Sequence, residues 1–308
     1  MSAAPGEAAA LPAAPTPVFM VVNLLVCSML WSTSFLFIKL SGDINPFVLA
    51  SIRGLVGASA LVSWFAVQAK SFRPDNGQWH HWVVLGAFNG WIPNVLTAYA
   101  LTQIGTAPAA MIQASGPLIV AVLSHLLYAD ERLTPRRFAG VLIGFGGMGI
   151  LIGPAALPDS GISPWGALIM VATALSYATA NLYVRSIKHA DPARLALGQQ
   201  ICSAIPATAL ALIVTGPSAY AAVQNSAASL LALGIISTAL PILLFMRLIR
   251  RAGPTRASMV GYLQPVWTAT LAVLFLNESI GLREMIGGAV VLTGVALVSL
   301  SGRLRQAR

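Results

Sequence analysis

One stretch of this chain is written twice, and that duplication limits the folds open to it. Gly105, Ala109, Met111, Pro117, Ala121 and Leu123 recur at a fixed offset as Gly253, Ala257, Met259, Pro265, Ala269 and Leu271. After a one-residue slip, Glu131, Arg136, Gly140 and Gly147 pair with Glu278, Arg283, Gly287 and Gly294. Each copy reads as an apolar helix, a short charged turn containing Glu, and a Gly-rich apolar helix. The match extends upstream: Lys39, Asn45-Pro46 and Arg53 align with Arg185, Asp191-Pro192 and Gln199, and Pro93 aligns with Pro241. Duplicated apolar halves are a signature of transporters.

The medium follows from the apolar content. With 57% hydrophobic and 9% charged residues, the chain lies outside the composition of soluble globular domains. Its apolar runs approach or exceed the roughly 20 residues that cross a bilayer as helix. Ten such helices are expected, at 18–40, 47–67, 82–101, 107–127, 138–153, 165–185, 193–214, 227–249, 257–276 and 285–300. Residues 1–17 are Ala/Pro-rich without Lys or Arg and read as a disordered tail, with no basic segment of the kind that precedes a secretory signal core. The five-helix units are then 18–153 and 164–302, followed by a basic cytoplasmic tail over 303–308.

Orientation follows from the basic residues. With a cytoplasmic N-terminus, all of the 18 Lys and Arg except Lys39, Arg53 and Arg283 fall on the cytoplasmic side. Both termini are therefore expected in the cytoplasm, in a multi-pass protein of the inner or plasma membrane. Five helices per half is an odd number, so the halves cross in opposite directions: an inverted repeat with a pseudo-two-fold axis in the membrane plane. The net charge of +9 sits in short turns rather than on a basic stripe interleaved with aromatics, which argues against nucleic acid as a partner.

Trp31-Ser-Thr-Ser-Phe-Leu-Phe-Ile-Lys39, then Pro46 and Arg53, then the Pro117 to Glu131 helix and its Gly-rich successor, resemble the EamA-type repeat of the drug/metabolite transporter superfamily. The resemblance covers nearly the whole chain after the tail, in two copies. It implies ten helices, a central cavity between the halves and export of small metabolites. Within the superfamily the pattern is most similar to YddG-like exporters of aromatic and other amino acids. The second copy departs from the first at Gln199, opposite Arg53, and at Tyr177, opposite Trp31.

Polar and aromatic residues at membrane depth are the candidate substrate contacts. They are Trp31 and Ser34 in the first helix, Asn89, Asn94 and Tyr99 in the third, Gln113 with Ser115 in the fourth, Tyr177 and Asn181 in the sixth, Gln199 with Gln200 in the seventh, and Tyr262, Gln264 and Trp267 in the ninth. Buried amides need partners, so these side chains are expected to point inward. Individually each reads equally as glue between helices or as an interfacial aromatic. As a set they describe an uncharged cavity with aromatic walls and amide hydrogen bonding, suited to a zwitterion or an amphipathic metabolite. Pro93, Pro117, Pro241 and Pro265 interrupt helices at paired places. They serve either as hinges that expose carbonyls to a cavity or as fixed kinks.

Charge and glycine narrow the field further. No Asp or Glu lies near the middle of an expected helix, so a pump for hydrophobic cations, which needs an embedded carboxylate, is disfavoured. Glu131 and Glu278 are expected to hold interfacial turns through neighbouring Arg residues. Arg53 sits about 9 Å inside its helix at helical rise; it either snorkels to the outer interface or contacts a substrate carboxylate. The string Gly144-Phe-Gly-Gly-Met-Gly149 satisfies G-x-G-x-x-G, but inside a spanning helix it is a packing face, not a dinucleotide loop. Gly140 and Gly144 form a small-xxx-small pair that admits a helix of the same chain or of a second protomer in a homodimer.

The leading reading is a secondary exporter of small metabolites, foremost amino acids with aromatic or hydrophobic side chains, working by alternating access. A uniporter, or an exporter of sugars, nucleotide-linked or drug-like metabolites, is the alternative. A membrane-embedded enzyme would need a nucleophile, base or metal set; no G-x-S-x-G or H-E-x-x-H is present. A passive channel would show a charged ring or selectivity loop. The lipid bilayer and a small-molecule substrate are the expected partners, and neither a metal nor a cofactor is expected.

Overall fold

A computed structural model describes residues 17–74, 78–127, 133–152, 163–187, 190–252 and 260–306. Glu131, Gly253, Ala257 and Met259 of the duplicated stretch lie outside these residues, as does the side chain of Tyr262. Every regular element among the described residues is helical. In the first half these are α1 (Pro17–Leu40), α2 (Pro46–Val67), α3 (Trp79–Gly86), a π-helical turn (Ala87–Trp91), α4 (Ile92–Ala100), α5 (Thr106–Gln113), α6 (Gly116–Leu127) and α7 (Pro135–Ile152). In the second they are α8 (Pro164–Ser186), α9 (Pro192–Thr215), a 3-10 segment (Pro217–Ser226), α10 (Ala227–Gly234), a second π-helical turn (Ile235–Ala239), α11 (Leu240–Ala252), α12 (Val260–Leu276) and α13 (Leu282–Gln306). Among the described residues, six stretches are long and apolar enough to cross a membrane: Val18–Leu40, Pro46–Val67, Thr106–Leu127, Pro164–Val184, Pro192–Thr215 and Pro217–Leu248.

The paired sequence signals reappear as paired structure. Asn45 and Asp191 are both N-caps, their side chains accepting from the amides of Phe47 and Ala193, and each is followed by proline at the first helical position. The π-helical turns fall at matching positions of the two halves, each directly preceding the short run that contains Pro93 or Pro241. The fourth expected helix breaks between Gln113 and Gly116, ahead of Pro117, whereas its counterpart Pro265 sits inside an unbroken α12. The proline symmetry is thus complete at Pro93 and Pro241 and incomplete at Pro117 and Pro265.

Glycine sets how the halves meet. A methyl group on Gly140 would stand 2.9 Å from the Gly294 carbonyl oxygen, and one on Gly294 2.6 Å from that of Gly140. Gly147 and Gly287 meet in the same reciprocal way, at 2.9 and 3.1 Å. The contacts run in opposite chain directions, so α7 and α13 are antiparallel. Because Gly140 and Gly147 are the duplicates of Gly287 and Gly294, each residue touches the other's counterpart, as a local two-fold axis requires. The neighbour of the small-residue face is therefore in the same chain. α2 and α9 repeat the pattern: Ser51 bonds Thr208 at 2.9 Å, Gly54 abuts Ala204 and Gly57 abuts Gln200. The outer surface carries exposed Val21, Val22, Leu142, Ile205, Ile213, Leu231 and Phe275, apolar side chains suited to lipid.

Contacts between the halves also form at helix ends. Both carboxylate oxygens of Glu278 accept from the Thr106 amide at 3.0 Å, and Oε2 also accepts from Ala107 at 3.4 Å. These amides open α5 and have no partner within the helix. Glu278 thus holds a helix N-terminus of the other half, where sequence pointed to a neighbouring arginine. The anion also meets the positive end of the helix dipole.

Candidate functional site

A proline at position i cannot donate to the carbonyl at i−4. Pro93 cannot serve the carbonyl of Asn89 at i−4, nor that of Phe88 at i−5, the register that the Ile92 amide keeps by donating to the Ala87 carbonyl, and the structure supplies a donor from the other half to each. Gln199 Nε2 of α9 donates to the Asn89 carbonyl at 3.2 Å, while Asn89 Nδ2 donates to Gln199 Oε1 at 2.9 Å. One residue earlier, Ser176 Oγ of α8 donates to the Phe88 carbonyl at 2.8 Å. The first π-helical turn is thus held by two helices of the second half. Gly90, within it, leaves helical geometry at φ −126°, ψ −105°.

The second π-helical turn is held by the first half. Arg53 of α2, the counterpart of Gln199, donates through Nε to Thr238 Oγ1 at 3.0 Å and through Nη2 to Ser34 Oγ of α1 at 3.2 Å. Thr238 Oγ1 in turn donates to the Leu233 carbonyl at 2.8 Å, and the neighbouring Ser237 and Thr33 hydroxyls share a hydrogen bond at 2.7 Å. The phenol of Tyr177, from α8, lies within electrostatic range of the guanidinium. Arg53 is only 8% exposed. It does not snorkel: its side chain turns into the junction of α1, α2, α8 and the second π-helical turn.

The expected contact residues divide between these clusters and their surroundings. Asn89 and Gln199 form the first cluster, and Ser34 and Tyr177 belong to the second. Trp31 packs on Phe245 of α11 with ring centroids 4.9 Å apart. Trp267 Nε1 of α12 donates to Ser28 Oγ at 3.1 Å, and the Gln264 carbonyl accepts from Ser32 Oγ at 3.1 Å, so both residues line the seam of α1 and α12. Asn94, Pro93, Pro241 and Pro265 are buried. Gln113 and Pro117 are half-buried beside the break between α5 and α6, where Gln113 Oε1 has no hydrogen-bond partner among the described residues. Tyr99, 42% exposed, and Asn181 lie on exposed faces.

Arg53 and Thr238 stand at the centre of this geometry without belonging to the expected set. Thr238 carried no sequence signal, since a threonine in an apolar helix ordinarily bonds its own backbone. Arg53 did carry one, as an ionisable residue inside an expected spanning helix and aligned with a polar Gln. A pocket lined by Pro74, Gln78, His81, Trp82 and Leu195 shares no residue with the candidate set and, at about 10 Å³, admits no more than a water. Among the described residues, no group of three or more His, Cys, Asp or Glu side chains is arranged to hold a metal.

The sequence pattern of the EamA-like transporter family matches residues 18–153 and 164–300. An uncharacterized transporter of Synechocystis sp. is 26% identical, over 92% of this chain and 91% of its own. A chloroplastic WAT1-related protein of Arabidopsis thaliana is also 26% identical, over 87% of this chain and 66% of its own. A solved crystal structure aligns with a TM-score of 0.65 at 21% identity, covering 94% of this chain and all of that one, which establishes likeness of fold.

Proposed function

Because the chain belongs to the EamA-like transporter family, and is thus a membrane transporter, we propose that it is a ten-helix secondary exporter of amino acids with aromatic or hydrophobic side chains. Its two inverted halves rock about a site between them, and both termini face the cytoplasm of the inner or plasma membrane. The observation that carries this reading is the mutual grip of the halves. Each half supplies polar side chains, Arg53 with Thr33 or Gln199 with Ser176, to the interrupted helix of the other. A π-helical turn next to proline has a weakened backbone ladder and is a natural bending point. Two of them at matching positions give two related hinges, and pseudo-symmetric hinges are what exchange between inward-open and outward-open forms requires.

In this reading the substrate is taken by Asn89 and Gln199 of the first cluster, by Tyr177 of the second, and by Trp31 and Trp267 on the flanks of α1. Aromatic walls take an apolar side chain, and amides and hydroxyls take the polar end of a zwitterion. No carboxylate is available at this depth among the buried residues described, which favours exchange or facilitated diffusion over proton-coupled pumping. A metabolic gradient of substrate then sets direction.

Counterflow in liposomes tests the reading. Vesicles holding purified protein and one unlabelled amino acid should transiently accumulate labelled phenylalanine or leucine, and Trp267→Ala should reduce the rate with insertion unchanged. Folded protein that accumulates none of the aromatic, aliphatic or charged amino acids would end the amino-acid assignment.

A further inference from the structure

The second cluster contains a charge without a counter-charge. Arg53 is the one charged residue among the buried residues described. Its two recorded acceptors, Ser34 and Thr238, are neutral hydroxyls. A guanidinium has five N–H donors in a planar fork, so these bonds use two and leave the rest. The hydroxyls satisfy hydrogen bonds but neutralise nothing, and a buried charge is costly unless it is paired. Among the described residues no carboxylate forms an ion pair with Arg53; the Asp and Glu side chains that are paired lie at helix ends, in Asp191 and Glu284. The counterpart position shows that the fold does not need the charge, because neutral Gln199 holds the first π-helical turn through two hydrogen bonds to Asn89.

We propose that Arg53 is the anchor for a carboxylate of the transported molecule, so that the cargo is a monocarboxylate and binds off-centre, on the Arg53 side of the pseudo-symmetric site. The inference rests on the transport reading above and deepens it. A planar fork matches a carboxylate through two parallel hydrogen bonds. One cation balances one negative charge. A phosphate monoester, carrying about −1.5 to −2 near neutral pH, would remain undercompensated, and the described interior offers no second buried cation. Bonds from Nε to Thr238 and from Nη2 to Ser34 fix the plane of the fork from the second π-helical turn and from α1. Occupancy of the anchor is thereby tied to both halves.

The test compares substrates that differ only in the carboxylate. Proteoliposome counterflow and ligand-induced thermal shift are measured for phenylalanine against 2-phenylethylamine, and for phenylpyruvate and 4-methyl-2-oxopentanoate against the matching alcohols. The wild-type protein is expected to take the carboxylate of each pair that it recognises and to discriminate against its partner. Arg53→Gln, which installs the residue that the protein uses at the counterpart position, should lower affinity for carboxylates about ten- to a hundredfold, the scale of a lost charge-assisted hydrogen bond. It should leave the affinity for the uncharged alcohols unchanged. Arg53→Lys, which keeps the charge without the fork, should fall between, and the unfolding temperature without ligand reports whether each variant is intact. Equal handling of both members of a pair by the wild-type protein, or unchanged selectivity in a folded Arg53→Gln, overturns the anchor and leaves amino-acid transport standing. Selective uptake of oxo acids but no amino acid, lost in Arg53→Gln, supports the anchor and ends the amino-acid assignment. Uptake of no carboxylate at all by folded protein overturns both.

Discussion

The two π-helical turns occupy equivalent places in a duplicated chain, yet they are secured by different chemistry. At Ala87–Trp91 the clamp is an amide pair, Asn89 with Gln199, closed on itself and neutral. At Ile235–Ala239 the clamp is a guanidinium, Arg53, resting on two hydroxyls with donors to spare. The π-helical register has been kept while the side chains, and the backbone at Gly90, diverged. A shared scaffold role explains why both positions are polar and reach across the halves; it does not explain why only one is charged. The difference is where substrate recognition enters a framework that symmetry alone would leave indifferent to its cargo.

The comparison holds only if the two-fold axis is real, and the glycine seam is where to break it. Gly294→Leu places a side chain whose first carbon stands 2.5 Å from backbone atoms of Gly144. Backbone cannot step aside as a flexible side chain can, so the cost should pass the ~3 kcal/mol upper end of ordinary overpacking. The protein should lose its cooperative unfolding transition in detergent. Gly146→Leu on the same α7 meets nothing within 4 Å and should unfold like the wild type. Equal behaviour of the two variants would dissolve the reciprocal packing of α7 and α13.

The axis itself was legible in the sequence because duplicated glycines, cap-proline pairs and prolines are punctuation that survives divergence. Which face of a helix turns inward was not. In a chain of 57% hydrophobic residues the lipid face is as apolar as the core, so periodicity gives no direction. Tyr99 and Asn181 therefore read the same as Asn94, although only Asn94 is buried. Arg53 illustrates the same limit: snorkelling and burial place the same residue at the same depth, and the choice depends on Ser34 and Thr238, one in a different helix and the other in the opposite half. The partner of Glu278 was hidden for a related reason, since unpaired amides at a helix start attract a carboxylate as strongly as a nearby arginine does. The π-helical turns left no mark beyond the prolines that follow them.

Charging the neutral clamp sharpens the contrast from the other side. Gln199→Arg gives both halves an arginine, but the new guanidinium faces the Asn89 amide and carbonyl with no anion. It should destabilise the protein by about 3 kcal/mol, the scale of an arginine in the middle of a membrane helix. Arg53→Gln removes a buried charge and should cost less, or even stabilise the protein without substrate. Unfolding free energies in the same detergent decide the order. If Arg53→Gln proves the more destabilising, the charge is structural and the two clamps differ in strength rather than in role.

The smallest effect separates what each clamp holds. Gln199 bonds a carbonyl that Pro93 cannot serve, whereas Arg53 bonds the hydroxyl of Thr238 and neither the Ile236 nor the Ser237 carbonyl that Pro241 cannot serve. Gln199→Ala should therefore cost about 1–2 kcal/mol by leaving the Asn89 carbonyl unsatisfied. Part of that loss should disappear on a Pro93→Ala background, where the restored amide can bond the same carbonyl. A double-mutant cycle on unfolding free energy should give a coupling of at least ~0.5 kcal/mol between Gln199 and Pro93. The equivalent cycle of Arg53→Ala with Pro241→Ala should be additive, because the arginine does not depend on the carbonyl the proline releases. Coupling of similar size in both cycles would mean that the two clamps perform one backbone duty. The charge on Arg53 would then need a different explanation from cargo.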